Sequence, residues 1–392
     1  MSEPVDAGGF RAEVAAWFAE AAPVKGSAED FSAIHIVSAM TDEDFRRREA
    51  RAMVVTRAWQ RTLHAGGWAG RSWPQEYGGG GQPEWQAHAI AEEQTRYGVS
   101  TKMLAIALEM VPPVLLEHGT VEQCRAHLPV IVRGDEAWCQ LLSEPDAGSD
   151  LTNVRALATS ASDGWRVTGQ KVWTSGAVSA DYALLLARTD RSKPGRDGLS
   201  CFALDMRQPG VRVRPLRQMS GGYHFNEVFL DDAVVPESAL IGTLGGGFAV
   251  LRTMLSSERA AIGGGTSARS AAQLRTMAKE VGRAAEPIVR QDLARAHTRE
   301  WLLDMVMSRA ASIPAGGPII KLLYSEHARL SADAALEILG ASALIAEHPM
   351  SEPWLDRFLF APGLRLGGGT DEIQRNTIAE RGLGLPREPR SV

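Results

Sequence analysis

Apolar residues in the first third of the chain recur at helical spacing. Phe10, Val14, Trp17 and Phe18 fall at i, i+4, i+7 and i+8, the stripe of an amphipathic helix. Further helical segments are predicted at about 83–97, 101–118 and 121–133. A loop with turn chemistry precedes them, Ser72-Trp73-Pro74-Gln75-Glu76-Tyr77-Gly78-Gly79-Gly80-Gly81. Near residue 136 the pattern changes. The segments 164–168, 182–187, 199–204 and 227–230 read as strands, separated at short spacing by Gly, Pro, Asp and Ser, as in a compact barrel or sandwich. From about 244 to 388 long helical patterns return, broken at Leu366-Gly367-Gly368-Gly369-Thr370-Asp371. The order helices, strands, helices predicts an α+β multidomain protein. An N-terminal helical domain covers 1–135, a middle β-barrel or sandwich domain 136–243, and a C-terminal helical domain 244–392. Clefts between such domains favour cofactors.

Composition narrows the function classes. With 42 basic and 47 acidic residues the net charge is −5, and no face-sized basic cluster suggests nucleic acid. Arg46-Arg47-Arg48 lies among Asp42, Glu43, Asp44 and Glu49 and reads as a solvated, salt-bridged helix face. Cys124, Cys139 and Cys201 match neither a redox nor a zinc spacing, and a reducing, cytoplasmic compartment fits them. No secretory leader is expected at Met1–Gly9, and no apolar run is long enough to span a membrane. His88, His118, His297 and His327 stand singly in helical patterns without metal spacing.

The first segment with chemistry is Trp138-Cys139-Gln140-Leu141-Leu142-Ser143-Glu144-Pro145-Asp146-Ala147-Gly148-Ser149-Asp150. It starts as a strand and breaks into a loop of small polar residues, whose amides and hydroxyls suit an anion or a ring carbonyl. The Ser-Glu-Pro-x-Ala-Gly-Ser-Asp part resembles the first motif of the acyl-CoA dehydrogenase superfamily. The similarity continues through Gly169-Gln170-Lys171-Val172-Trp173-Thr174-Ser175-Gly176, through Glu227-Val228-Phe229-Leu230-Asp231-Asp232, and into Gly369-Thr370-Asp371-Glu372-Ile373-Gln374-Arg375-Asn376. Upstream, Gly67-Trp68 and Trp73-Pro74-x-Glu76-Tyr77-Gly78-Gly79 fit as well. The motifs span nearly the whole chain in the correct order.

The resemblance implies the fold of that family, with a four-helix bundle as its C-terminal domain, and FAD as cofactor. Gln140, Leu142 and Ser143 would meet the flavin and Ser149 the pyrophosphate. Trp173 would pack on the isoalloxazine with Ser175 near its redox-active nitrogen, and Thr370 and Glu372 would face FAD as well. It also implies oxidation of an acyl thioester carried by CoA or a carrier protein, with an electron-transfer flavoprotein or similar acceptor downstream, in a homo- or hetero-oligomer (dimer or tetramer).

The catalytic base departs from the common pattern. Many family members keep it as Glu in a Tyr-Glu-Gly-Thr loop, and the matching residue here is Gly368 in Gly367-Gly368-Gly369-Thr370. Another branch carries the carboxylate on the first long helix after the β domain, in a Glu-Arg pair. Glu258-Arg259 stands at that place, with Arg259 as a substrate-binding neighbour. Periodicity agrees: Glu258 is i+7 from Leu251, i+4 from Met254 and four before Ile262, on one apolar stripe. A carboxylate there should have a raised pKa unless paired, as suits a base working near neutrality. The following Gly263-Gly264-Gly265 reads as close helix packing.

Two other family features are missing. The region Leu274–Arg283 lacks the Arg-x-x-Phe-Gly that reaches a neighbour's FAD, and Glu337-Ile338-Leu339-Gly340-Ala341 stands where a Gln-x-x-Gly-Gly is common. A flavin monooxygenase on the same fold and a degenerate subunit of a hetero-oligomeric dehydrogenase therefore stay open as alternatives.

Overall fold

The computed structural model describes residues 7–32, 41–263, 270–345, 348 and 350–387. Gly264 and Gly265 lie outside these residues. The chain divides into two compact units, 1–218 with 223–254, and 219–222 with 255–392. Each is described by itself.

The first unit opens with α1 (Ala7–Ala21), α2 (Asp42–Ala65), α3 (Glu84–Gln94), α4 (Val111–His118) and α5 (Val121–Val132). Val14 and Phe18 of the predicted stripe are buried with Trp59, Leu63 and Trp68 in one aromatic-rich core. The acidic first turn of α2 pairs with the arginine run, Arg46 with Asp42 at 2.8 Å and Arg47 with Asp44 at 3.1 Å. Such exposed pairs solubilise more than they stabilise.

The segment 101–118, predicted as one helix, is broken. A 3₁₀ turn at Lys102–Leu104 leads into a π-helical turn at Ile106–Met110, and only then does α4 begin. Pro112 and Pro113 explain the break. Neither has an N–H to give to a carbonyl one turn back, so Val111 N closes on Ile106 O over the longer π spacing.

Eight strands follow: β1 (Trp138–Leu141), β2 (Leu157–Ala161), β3 (Gly164–Ser175), β4 (Tyr182–Arg188), β5 (Leu199–Asp205), β6 (Val211–Leu216), β7 (Phe225–Val235) and β8 (Leu240–Ile241). They form one sheet in the order β6-β7-β3-β2-β4-β5-β8, with β1 beside β4 in parallel. The sheet curls on itself: Trp165 of β3 meets Phe202 of β5 with ring centroids 5.8 Å apart. Val167, Leu185, Phe202, Leu204, Val228 and Val235 are fully buried in the resulting core. Alternating inward apolar residues are what such packing requires.

The remaining helices are α6 (Gly247–Gly263), which runs on from the first unit into the second, α7 (Ala271–Glu280), α8 (Pro287–Arg309), α9 (Gly316–Leu339), α10 (Glu352–Leu366) and α11 (Asp371–Thr377). Leu274 and Met277 of α7, Ala335 and Ile338 of α9 and Trp354 of α10 share one core. Among the described residues no helix is long and apolar enough to cross a membrane, and no cluster of three or more metal-binding side chains occurs.

Candidate active site

Gln140, Leu142, Ser143, Trp173 and Ser175 are brought together at one end of the sheet by two backbone devices. The chain leaves β1 at Leu141 and enters a tight turn, with Glu144 and Ala147 exchanging backbone hydrogen bonds at 3.0 and 3.1 Å. Ser149 is exposed beyond that turn. Asp150 then accepts from Thr152 N and Asn153 Nδ2 and starts a 3₁₀ turn. From the other side β3 reaches the loop, Val172 N donating to Ser143 O at 2.9 Å.

Lys171 ties these pieces. It has no solvent exposure, and its ammonium donates to Leu142 O at 3.0 Å and to Glu144 Oε1 at 2.9 Å. Glu144 also accepts from the amides of Arg155 and Ala156 at 2.7 and 2.8 Å, which fixes the start of β2. Burial pulls the Lys171 ammonium down to about 8, against the opposing pull of Glu144. Motif reading passed over this pair. A lone lysine on the inward register of an apolar strand was its sequence signal.

Trp173 follows Lys171 by two residues. Its φ is 62° and its side chain stays 61% exposed, touching Phe225 edge-on at 6.0 Å. The β3–β7 register slips between Lys171 and Thr174, and this bulge turns the ring out of the sheet. Thr174 pairs with Asn226, whose Nδ2 donates to Thr174 O at 2.9 Å. Gln140 Oε1, Thr174 Oγ1 and Asn226 Oδ1 are buried without a hydrogen-bond partner in the protein. An exposed aromatic plate beside unmatched buried polar atoms fits a flat ring with polar edges, such as a flavin.

On the same unit, Lys193, Asp197, Thr243, Leu244, Gly245 and Gly246 bound a cavity of about 560 Å³ at the start of α6. Gly245 N donates to Ser200 Oγ at 2.9 Å, and a Cβ at Gly247 would lie 2.7 Å from Ser200 backbone.

Another carboxyl is Glu49 of α2, read from sequence as part of a solvated helix face but half-buried here. Ser179 Oγ lies 3.5 Å from its Oε1, and its Oε2 is buried without a partner. Burial pushes the Glu49 carboxyl up to about 7, with Ser179 and Arg46 pulling the other way. Phe45, one turn earlier, packs on Tyr223 and His224, and burial lowers the His224 pKa.

In the second unit the Gly367–Thr370 turn leads into α11. Thr370 caps the helix, accepting from Ile373 N at 3.2 Å, and Glu372 is exposed in its first turn. Gly368 has φ 64°, a left-handed conformation that favours glycine. Gln374 Nε2 donates to Gly368 O at 2.7 Å. Arg283, just past α7, donates to Glu337 O at 2.5 Å and Ile338 O at 3.0 Å and pairs with Glu286, so it caps the last turn of α9. Arg275 and Lys279 of α7 are exposed. Glu258 is half-buried on α6, beyond the buried Leu251 and Met254. The Arg259 side chain lies outside the described residues. Thr370, Glu372 and Glu258 belong to a different unit from the Trp173 group.

Family models match the chain in three consecutive parts: the acyl-CoA dehydrogenase N-terminal domain at residues 20–135, middle domain at 139–233 and C-terminal domain at 245–383. The chain belongs to the acyl-CoA dehydrogenase family, whose members are flavoproteins acting on CH–CH bonds of acyl-CoA. It is 35% identical over 387 residues to acyl-CoA dehydrogenase IpdE1 of Mycobacterium tuberculosis, covering 97% of this chain and 98% of that protein. It is 36% identical to FadE34 of the same organism over 80% of this chain and 44% of that longer protein. Among solved structures it resembles the Tcur3481-Tcur3483 steroid ACAD (TM-score 0.81, 27% identity, 99% of each chain). It likewise resembles the ChsE4-ChsE5 complex from Mycobacterium tuberculosis (TM-score 0.78, 27% identity, 99% of this chain and all of that one).

Proposed function

We propose that the chain is an FAD-dependent α,β-dehydrogenase of an acyl-CoA thioester, with Glu258 as the base that takes the α proton. One observation carries this reading. Gly368 offers no side chain where many relatives keep a glutamate, while Glu258 stands half-buried on α6 beyond Leu251 and Met254. A positioned carboxylate is the kind of group that can take a poorly acidic α proton.

Bound FAD would supply the acceptor for the β hydride. The residues of this chain would hold it: Trp173 covering a ring face, Gln140 Oε1 accepting from a ring N–H, Ser143 and Ser175 offering hydroxyls, Leu142 packing on the ring, and Ser149 meeting the pyrophosphate. By the family resemblance Thr370 and Glu372 would also meet FAD, and Arg259 would serve the substrate. Lys193, beside the cavity at the start of α6, would meet a phosphate of the thioester carrier. In this reading the N-terminal, middle and C-terminal domains divide at 1–135, 136–243 and 244–392.

The absent Arg-x-x-Phe-Gly and the Glu337 substitution favour a hetero-oligomer whose partner completes the FAD site, and the similar Tcur3481-Tcur3483 and ChsE4-ChsE5 structures, each named for a pair of chains, support it. The first of these is a steroid ACAD, which makes a steroid-derived acyl-CoA the first thioester to try. An electron-transfer flavoprotein or a similar acceptor would reoxidise the flavin.

The test is anaerobic bleaching of the purified yellow protein, alone and with a co-expressed paralogue, by a panel of acyl-CoA and acyl-pantetheine thioesters. Bleaching with formation of an enoyl thioester is expected. Oxygen consumption with supplied reduced flavin and no enoyl product would replace this reading with a monooxygenase.

A further inference from the structure

Trp173 is doubly costly where it stands. A non-glycine residue at φ 62° crowds its own Cβ against the backbone, and a ring 61% exposed forgoes most of its burial. Among the described residues only Asp232 and Ala315 share a positive φ without being glycine. Strain of this kind persists only where the surroundings impose it.

The surroundings impose it from both sides. Lys171, opposite Val228, is the last β3 residue in register with β7 before the slip, and from there β3 is held by the 142–144 loop, through Lys171 Nζ to Leu142 O and Glu144 Oε1 and through Val172 N to Ser143 O. One residue after it, Thr174 O is held by Asn226 Nδ2 at 2.9 Å. Asn226 is 1% exposed, and its Oδ1, like Thr174 Oγ1, stays buried and unmatched. A bulge kept at the expense of two unmatched polar atoms is over-determined by its pins.

We infer that Lys171 and Asn226 are positioning residues that together hold Trp173 turned out of the sheet, so that its ring is in place before a flat heteroaromatic ligand arrives. This rests on the flavin reading above. It adds that the ring platform is preorganised in the ligand-free protein and that Lys171 and Asn226 set it. Lys171 also couples the platform to Ser143, so both sides of the ring site move together when it is lost.

The experiment uses the full-length apoprotein labelled with 5-fluorotryptophan, alongside FAD titration. The Trp173 resonance is the one lost in Trp173→Phe. The variants are Asn226→Ala and the double variant Lys171→Met with Glu144→Gln, in which the glutamine oxygen still accepts from one of the Arg155 and Ala156 amides while the other loses its acceptor. A single sharp Trp173 line is expected in the wild type and a broadened or split line in both variants. FAD dissociation constants should rise about tenfold, the loss of one charge-assisted or buried hydrogen bond. Apoprotein melting should fall by several degrees in the double variant, because the charge pair is removed as a whole but one backbone amide loses its acceptor, so the Trp173 line is the deciding readout. Unchanged FAD affinity, or an unchanged Trp173 line in variants that bind more weakly only as they melt earlier, would overturn the inference. A wild-type apoprotein that shows the sharp line but takes up no FAD, either alone or with a co-expressed paralogue, would overturn the cofactor reading instead.

Discussion

Lys321 of α9 donates to Asp371 at the start of α11 at 2.7 Å, and neither side chain has appreciable contact with solvent. The same carboxylate accepts from Arg365 Nε at 2.7 Å and Ser325 Oγ at 3.0 Å, and Lys321 also donates to Arg365 O. Burial opposes the Asp371 anion, yet Lys321, Arg365 and Ser325 hold its carboxyl below the usual range. The network sets the turn that carries Thr370 and Glu372. Lys321→Met leaves Asp371 buried and short of its main partner. A loss of about 3–5 kcal/mol is expected in urea unfolding, and a loss under about 1 kcal/mol would mean the turn is held by other contacts.

Glu258→Gln should slow anaerobic flavin bleaching by an acyl-CoA by about 10²–10⁴-fold while leaving flavin content unchanged. Stopped-flow absorbance reads this directly, and an unaltered rate would remove Glu258 from the role of base.

Gly368→Glu should not restore the reaction in that background. Gly368 sits at φ 64°, where a side chain costs about 1 kcal/mol. Restored bleaching in Glu258→Gln/Gly368→Glu would show that the loop accepts the base after all.

Glu49 makes stability depend on pH. Its folded value of about 7 lies above the ordinary 4.5, so the folded protein holds the proton more tightly over that interval. The associated stability is full below the ordinary value and is lost as pH rises through about 7. Glu49→Gln should flatten this decline and raise stability at pH 8 by roughly 1–2 kcal/mol, the side chain being only half-buried. Denaturant titrations across this pH range check it, and parallel curves for the two proteins would reject it.

Trp173→Gly separates stability from function. Glycine relieves the left-handed backbone, so the apoprotein should melt at or slightly above the wild-type temperature. FAD should bind roughly tenfold more weakly for want of the ring. A lowered melting point with undiminished FAD affinity would make the tryptophan a packing residue.

Much of this protein was legible in its order of residues. The short apolar runs at 182–187 and 199–204, bounded by turn residues, became β4 and β5, buried along almost their whole length as central strands are. The stripe through Val14 and Phe18 became a helix core. The segment 101–118 misled because periodicity registers side chains, whereas Pro112 and Pro113 act through their missing backbone donors. The Ser143 and Trp173 motifs were visible as strings. The bond from Lys171 to Leu142 and Glu144 was not, since it joins residues 29 and 27 positions apart.

Local pattern by itself determined the helix–strand–helix order, because that depends on residue type and short spacing, while Gly368 and Glu258 were singled out through the resemblance to the family. Only the tertiary structure decided that Lys171 is buried and paired, that Trp173 is strained and turned outward, and that Glu49 holds its proton near neutrality. Burial, backbone strain and charge environment are set by what distant segments place around a residue, and no window of sequence contains that information.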